Sequence, residues 1–374
     1  MSVKVSIVKC STYEETKVLK AIRQSIDLIG GIDSFVKGGD RVLLKPNLLF
    51  GKIPEKAVTT HPSVIRCVIQ LVKEAGGIPS LGDSPGISSS MGVAEKAGIK
   101  KVAEEMGCPI VEFNRPVLPP GKKGRTFKHI EIDQAIYEAD VIINLPKWKT
   151  HAQMLLTLGV KNLFGCIPGQ RKALWHLKAG EDHKLFAQVL VDLYQMIQPS
   201  LTILDGIVGM DGNGPGSGDP IPLELILASR DPFCLDQIVC DLLGISRDSL
   251  LTNRVAFEQG LGKNGVVTAG ENPEDVKITK FKFPNPYRID WYLPGFIKKS
   301  FKSAFSSKPV IAKDVCKLCN QCVEICSPKA LNESRKELVF DYGKCIRCFC
   351  CQEICPEGAI TIKQGWALKI LGGR

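Results

Sequence analysis

The chain has 374 residues and a net charge of +10, with 44% hydrophobic and 24% charged residues. That length accommodates two or more domains, and the balance of apolar and charged residues excludes a disordered or fibrous chain. No apolar run approaches the ~20 residues of a membrane-spanning helix. The N-terminus reads as a first strand rather than a signal peptide, so a cytoplasmic location is expected, where the fifteen cysteines are not expected to form disulfides.

In chain order, VKVSIVKC is a short apolar alternation and predicts a strand. YEETKVLKAIRQSIDLIGG has helical spacing and a glycine stop. RVLLKPN predicts a buried strand, and HPSVIRCVIQLVKEAGG a second helix with Pro62 near its start. IPSLGDSPG predicts a strand and a turn. DVIINLPK and LTILDGIVG are further strands, as is PIPLELILAS. KLFAQVLVDLYQMI and DPFCLDQIVCDLLG are amphipathic helices between them. Strands alternating with helices predict an α/β domain, a parallel sheet covered on both faces, over residues 1–280.

In such sheets ligands bind beyond the carboxyl ends of the strands. The loops expected there are polar: Lys45-Pro46-Asn47, then His61, then Gly82-Asp83-Ser84, then the loop Lys147-Trp148-Lys149-Thr150-His151. GVKNLFGCIPG adds Lys161 and Asn162, and Asp205 and Asp211 follow LTIL. Lys45, His61, Lys147, His151, Lys161 and Asp205 are the candidate catalytic residues of a cleft for an anionic or carbonyl substrate. Each has a bland alternative: His61 as a helix cap, KWKTH as a solvated loop, Asp83 as a turn starter. GNGPGSG, residues 212–218, lacks phosphate-loop spacing and predicts a flexible turn.

Residues 281–311 form a basic, aromatic linker. From Lys280 to Lys308 there are seven Lys or Arg against one acid. Ile297, Phe301 and Phe305 make an apolar stripe beside Lys298, Lys299 and Lys302. That pattern predicts a clamp between domains, with peripheral contact to an anionic membrane surface as the alternative.

Residues 312–374 carry two identical spacings. Cys316, Cys319, Cys322 and Cys326 stand as C-x2-C-x2-C-x3-C, and Cys345, Cys348, Cys351 and Cys355 repeat it. This is the bacterial ferredoxin run, whose fourth cysteine serves the other cluster. It predicts a small α+β ferredoxin-type domain with two [4Fe-4S] clusters. Cys316, Cys319, Cys322 and Cys355 would hold one, and Cys345, Cys348, Cys351 and Cys326 the other. SPKAL after Cys326 resembles PEGAI after Cys355, an internal repeat. Zinc fits poorly, because its sites prefer two CxxC pairs with a longer gap. Cys350 and the six scattered cysteines, Cys10, Cys67, Cys108, Cys166, Cys234 and Cys240, are expected to pack as small apolar side chains.

LLKPNLL, THPSVI, GDSPG, INLPKWKTH and GVKNLFG together resemble the family called domain of unknown function 362, whose members are often fused to a two-cluster ferredoxin module. The resemblance covers roughly residues 3–245 and the cysteine-rich end. It implies an α/β cleft, and a distant relation to the N-terminal domain of lactate racemase, but no reaction. Three classes of function follow. The preferred one is an iron–sulfur oxidoreductase that takes electrons from a donor protein and passes them at low potential to a small substrate. The second is an electron-transfer or adaptor protein with no catalysis of its own, and the third a non-redox enzyme with structural clusters. A further cofactor such as a flavin would favour the first, and no motif announces one. No helix-turn-helix or finger pattern predicts a nucleic-acid partner, and radical-SAM spacing is absent.

Overall fold

The computed structural model describes residues 2–86, 88–120, 126–127, 129–169, 171–262, 265–284, 307–334 and 336–363. Its N-terminal part is built on a 10-stranded sheet. The strands are β1 (Val3–Lys9), β2 (Arg41–Pro46), β3 (Ile78–Asp83), β4 (Ile110–Glu112), β5 (Val141–Leu145), β6 (Lys147–His151), β7 (Leu155–Thr157), β8 (Leu201–Asp211), β9 (Asp219–Ser229) and β10 (Val266–Gly270). They run in the order β10-β1-β9-β8-β5-β2-β3-β4, with β6 paired to β8 and β7 to β6.

The stretch β8-β5-β2-β3-β4 is parallel. The long β8–β9 hairpin and the β1–β9 pair are antiparallel, so the sheet is mixed rather than wholly parallel. From β2 the chain builds outward to β4, then returns to place β5 on the other side of β2. The carboxyl ends of β2 and β5 therefore flank a crevice at a reversal of strand order.

Alternation along the strands fills both faces. Val42 and Leu44 of β2 join a core with the helices α1 (Glu15–Asp27) and α2 (Pro62–Glu74). Leu43 between them points the other way, into a core with α3 (Arg171–Ala179) and α4 (His183–Ile197). A third cluster packs β1, β8 and β9 on α5 (Pro232–Leu242). The six scattered cysteines are buried in this part.

Two of the expected loops have a different form. KWKTH is strand β6, buried at all five positions. GNGPGSG is no free turn: it packs between β6 and the cysteine-rich part. A Cβ at Gly214 would meet Thr150 Oγ1 at 2.3 Å, and one at Gly216 would meet the Glu353 backbone oxygen at 2.9 Å. Only glycine permits both approaches.

The C-terminal part pairs β11 (Lys308–Ile311) with β14 (Ile360–Lys363), and β12 (Leu331–Ser334) with β13 (Glu337–Phe340). The short helices α6 (Gln321–Glu324) and α7 (Cys350–Ile354) pack together. The repeat seen in the sequence recurs in the backbone. Leu318 and Arg347, Asn320 and Phe349, and Lys329 and Gly358 occupy matching places after the cysteines, and all six have positive φ.

This part docks directly on the sheet domain. Gln352 Nε2 donates to Asn213 O at 3.1 Å, Asn213 Oδ1 at 2.9 Å and Gly214 O at 3.1 Å. Ser217 Oγ donates to Cys355 O at 3.3 Å, Ser327 Oγ to Ala173 O at 3.2 Å, and Arg347 pairs with Glu181 at 2.7 Å. The stripe Ile297, Phe301 and Phe305 lies outside the described residues. No helix among the described residues is long and apolar enough to cross a membrane.

Candidate functional site: a cavity between two domains

A cavity of about 100 Å³ lies where the cysteine-rich part meets the carboxyl ends of β2 and β3. Its lining includes Lys45, Asp83, Lys149, Lys161 and Lys172 from one side and Cys350, Glu353 and Ile354 from the other. The last strand residues supply the charges: Lys45 Nζ pairs with Asp83 Oδ1 at 2.7 Å, both almost fully buried. Asp83 Oδ2 also accepts from Leu48 N at 2.6 Å.

A chain of amides fixes the neighbouring lysine. Lys149 Nζ donates to Asn47 Oδ1 at 2.9 Å and to Val58 O at 2.6 Å. Asn47 Nδ2 donates to Asn162 Oδ1 at 2.9 Å, and Asn162 Nδ2 to Asn144 Oδ1 at 2.8 Å. Each amide uses its oxygen as acceptor and its nitrogen as donor, so the order of the relay sets its orientation. Lys149 has only neutral oxygens as partners, and burial pushes its pKa well below the ordinary lysine value. Lys172 likewise donates to Ser84 O at 2.7 Å and Ser84 Oγ at 2.6 Å, and burial lowers it to about 7.

His151 and Glu353 meet across the domain boundary. His151 Nδ1 accepts from Gln153 N and Met154 N, both at 3.1 Å. Nε2 therefore carries the proton, and it faces Glu353 Oε1 at 3.0 Å. Burial raises the Glu353 pKa, while the Nε2–H of His151 and the Lys161 ammonium lower it, and the lowering prevails. Burial pushes His151 down; the two backbone donors on Nδ1 hold this ring neutral beside an ionised carboxylate. Three cavity groups stand without a partner among the described residues. Lys161 Nζ lies over the Phe164 and Phe186 rings at 4.9 and 5.7 Å. Thr157 Oγ1 and His176 Nδ1 are buried with no hydrogen bond.

The six candidate residues thus divide. Lys45, His151 and Lys161 line the cavity. Lys147, Asp205 and His61 do not; they form a separate buried network. Lys147 Nζ pairs with Asp205 Oδ2 at 2.8 Å and donates to Tyr13 Oη at 2.7 Å. Tyr13 Oη donates to Asp205 Oδ1 at 2.8 Å, and its ring stacks on His61. His61 Nδ1 caps α2 by accepting from Ser63 N at 3.2 Å. This network ties α1, α2, β6 and β8 together and needs no ligand to satisfy it. Glu353, Lys172, Thr157 and His176 were not signalled by any motif.

Cys316, Cys319, Cys322 and Cys355 line one small pocket. Burial pushes Cys322 up to about 12, and the neighbouring Cys355, Cys319 and Cys316 add to the rise. Burial likewise raises Cys351, and Cys348, Cys345, Cys322 and Cys326 raise it further. Two equivalent backbone donors reach sulfur: Ala330 N to Cys326 Sγ and Ala359 N to Cys355 Sγ, each at 3.2 Å. Among the described residues no three His, Cys, Asp or Glu side chains stand close enough to hold a single ion.

Comparison with known proteins places this arrangement in a family. Residues 42–241 match the model described as Domain of unknown function (DUF362). The chain is 42% identical over 305 residues to the Thylakoid-associated protein sll1697 of Synechocystis, covering 80% of this chain and 93% of that one. Among solved structures, the lactate racemase apoprotein of Thermoanaerobacterium thermosaccharolyticum superposes with a TM-score of 0.40 at 11% identity, covering 62% of this chain and 54% of that one. A Thermotoga maritima protein superposes with a TM-score of 0.37 at 12% identity, covering 60% and 57%. Both structural likenesses are too slight to carry an argument. The family match spans β2 to α5, the segment that contributes every lysine of the cavity, and with it the chain belongs to the DUF362 family.

Proposed function

We propose that this protein is an iron–sulfur oxidoreductase that acts on a small molecule in the cavity between its two domains. Cys316, Cys319, Cys322 and Cys355 would hold one [4Fe-4S] cluster, and Cys345, Cys348, Cys351 and Cys326 the other. Several features of the residues fit such groups. Cys316, Cys319 and Cys322 line one pocket with Cys355 of the opposite run, the crossed set that the first foursome needs. Paired N–H donors on Cys326 and Cys355 suit thiolate acceptors, and hydrogen bonds to cluster sulfurs tune potential. When bound, such a cluster supplies single electrons, usually at low potential.

The observation that carries the proposal is the shared wall. Cys350 sits between Cys348 and Cys351 in the sequence and lines the same cavity as Lys45, Lys149 and Lys161. A reactant there would lie beside the second foursome. The lysines would bind it and exclude bulk water. The His151–Glu353 contact keeps a proton at Nε2 within the same wall, available to a reacting group. An adaptor without catalysis, the alternative, would have no use for a lysine-lined cavity at this boundary.

The test is anaerobic purification with iron and sulfide analysis. About eight irons per chain are expected, two cubanes of four. Cys326→Ser should damage the cluster held by the second run, and Cys350→Ser should leave the iron count unchanged. About four irons, or zinc in their place, would refute the assignment. The relative's association with thylakoids supports a second proposal, that the basic aromatic stretch 281–308 touches a membrane surface. Salt-sensitive sedimentation with anionic vesicles, lost in Phe301→Glu, would be expected; no sedimentation would leave a purely soluble role.

A further inference from the structure

The cavity holds more donors than its walls can satisfy. Lys45 is matched by Asp83 at 2.7 Å, and Lys149 and Lys172 are spent on neutral oxygens. Lys161 has neither a carboxylate within ion-pair reach nor a hydrogen-bond acceptor among the described residues. The acid it feels most is Glu353, whose Oε1 is already opposite His151 Nε2 at 3.0 Å. The aromatic rings beneath Lys161 stabilise a cation weakly and leave its N–H groups free to bond elsewhere. Thr157 and His176 are each 4% exposed, and each keeps a polar atom without a partner. Buried polar groups are nearly always paired, by protein, water or ligand. Three unpaired groups around one cavity, one of them cationic, therefore describe a ligand of complementary charge.

Size narrows the class. On the scale of a cavity of about 100 Å³, one water needs roughly 10–15 Å³, so the space suits roughly seven to ten water-sized groups. That excludes a flavin or a nucleotide from this cavity and leaves a molecule of a few heavy atoms. Lys45 is neutralised by Asp83, and burial pushes Lys149, Lys161 and Lys172 toward the neutral form, so an anion bound beside Lys161 would hold that side chain protonated.

We propose that the cavity binds a small carboxylate or comparable oxyanion, with Lys161 as its counter-ion and Thr157 and His176 as hydrogen-bonding partners. The anion would be the substrate's recognition group, an assignment that rests on the oxidoreductase reading; the binding itself requires only the docked chain. Thr157 ends β7 and Lys161 lies on the following helical turn, Gly159–Asn162. One short segment thus presents a hydroxyl and an ammonium, while His176 comes from α3 and is held by stacking on Phe186 at 4.3 Å. Charge-assisted hydrogen bonds of this kind, in a nearly dry site, are stronger than neutral ones.

Calorimetry on the anaerobically purified full chain tests this, with malonate as the probe and malonamide as its neutral analogue of the same size. Malonate is expected to bind, more weakly as salt is raised, and malonamide is expected not to. Lys161→Met should weaken malonate at least tenfold, and Thr157→Val several-fold, with unchanged melting temperature and iron content. Equal binding of malonamide, wild-type affinity in Lys161→Met, or no heat from malonate, acetate or sulfite at tens of millimolar would each overturn the proposal. Iron content and bleaching by dithionite are read on the same samples. Malonate binding to a protein that lacks redox-active iron would support the anion site and count against the electron-transfer role alone.

Discussion

Gly165→Ala directs a single methyl group at the most buried ion pair of the cavity. A Cβ on Gly165 would lie 1.9 Å from Asp83 Oδ1, 2.8 Å from Lys45 Nζ and 3.0 Å from Asp83 Cγ. Asp83 cannot remain where it is. Nor can it swing freely, because Leu48 N holds its other oxygen at 2.6 Å and Lys45 and Asp83 are 0% and 5% exposed. Breaking a buried pair by displacing one partner costs about 3–5 kcal/mol, chiefly through the charge left behind. The backbone conformation at Gly165 is open to alanine, so the substitution also gains about 0.4–1 kcal/mol from a stiffer unfolded chain. The net expectation is a loss of about 2–4 kcal/mol. Urea unfolding of the full chain, followed by tryptophan fluorescence and circular dichroism together, reads it. The control is Lys45→Met with Asp83→Ala, which removes both charges and the atoms that the new methyl would strike, at its own cost in lost packing and in the unpaired Leu48 N–H. In that background Gly165→Ala should cost far less, and the difference is the coupling energy. A loss under about 0.5 kcal/mol in the wild type, within the range of a neutral surface change, would refute the reasoning. So would an equal loss in both backgrounds.

Gln352→Leu removes three hydrogen bonds to Asn213 and Gly214; limited proteolysis should then cut between the domains faster while the circular dichroism spectrum holds, and an unchanged rate would deny the loop its docking role. Lys147→Met leaves Asp205, which is fully buried, without its cation. It should destabilise the fold by about 3–5 kcal/mol in the same urea assay, whereas a stable variant that has lost only malonate binding would return Lys147 to the site.

Much of the sheet domain is legible because its signals are local. The strands at 41–46, 78–83 and 141–145 and the helices α1, α2, α4 and α5 each follow from the spacing of apolar residues within one stretch. KWKTH failed as a loop because a lysine in a strand reads as solvent-facing. Lys147 and Lys149 are buried because Asp205 stands 58 residues away from one and Asn47 stands 102 residues from the other, distances no periodicity can span. The same holds for Glu353. Inside a cysteine run it looks like a solvated helix residue, and only docking turns it toward His151. GNGPGSG was misjudged for a related reason: its glycines answer to Thr150 and Glu353, neither of which is near in sequence. Three of the six candidate residues reached the cavity. The carboxyl-end rule accounts for their meeting at one cavity, while the other three join a network centred on Tyr13.

The wall that residues 350–354 contribute has a consequence for how the protein matures. Neither part encloses the cavity by itself, so the binding pocket is a product of assembly rather than of folding. A nascent chain would complete its sheet domain first, with an open groove at the ends of β2 and β3. Only when the cysteine loops have taken their final shape can α7 seat Gln352 and Glu353 and close that groove. The single chain makes this last step intramolecular, so the local concentration of one part near the other substitutes for a large contact surface. Access to the cavity would then be coupled to maturation: a molecule still lacking its ordered cysteine loops would leave the groove at the ends of β2 and β3 open to water.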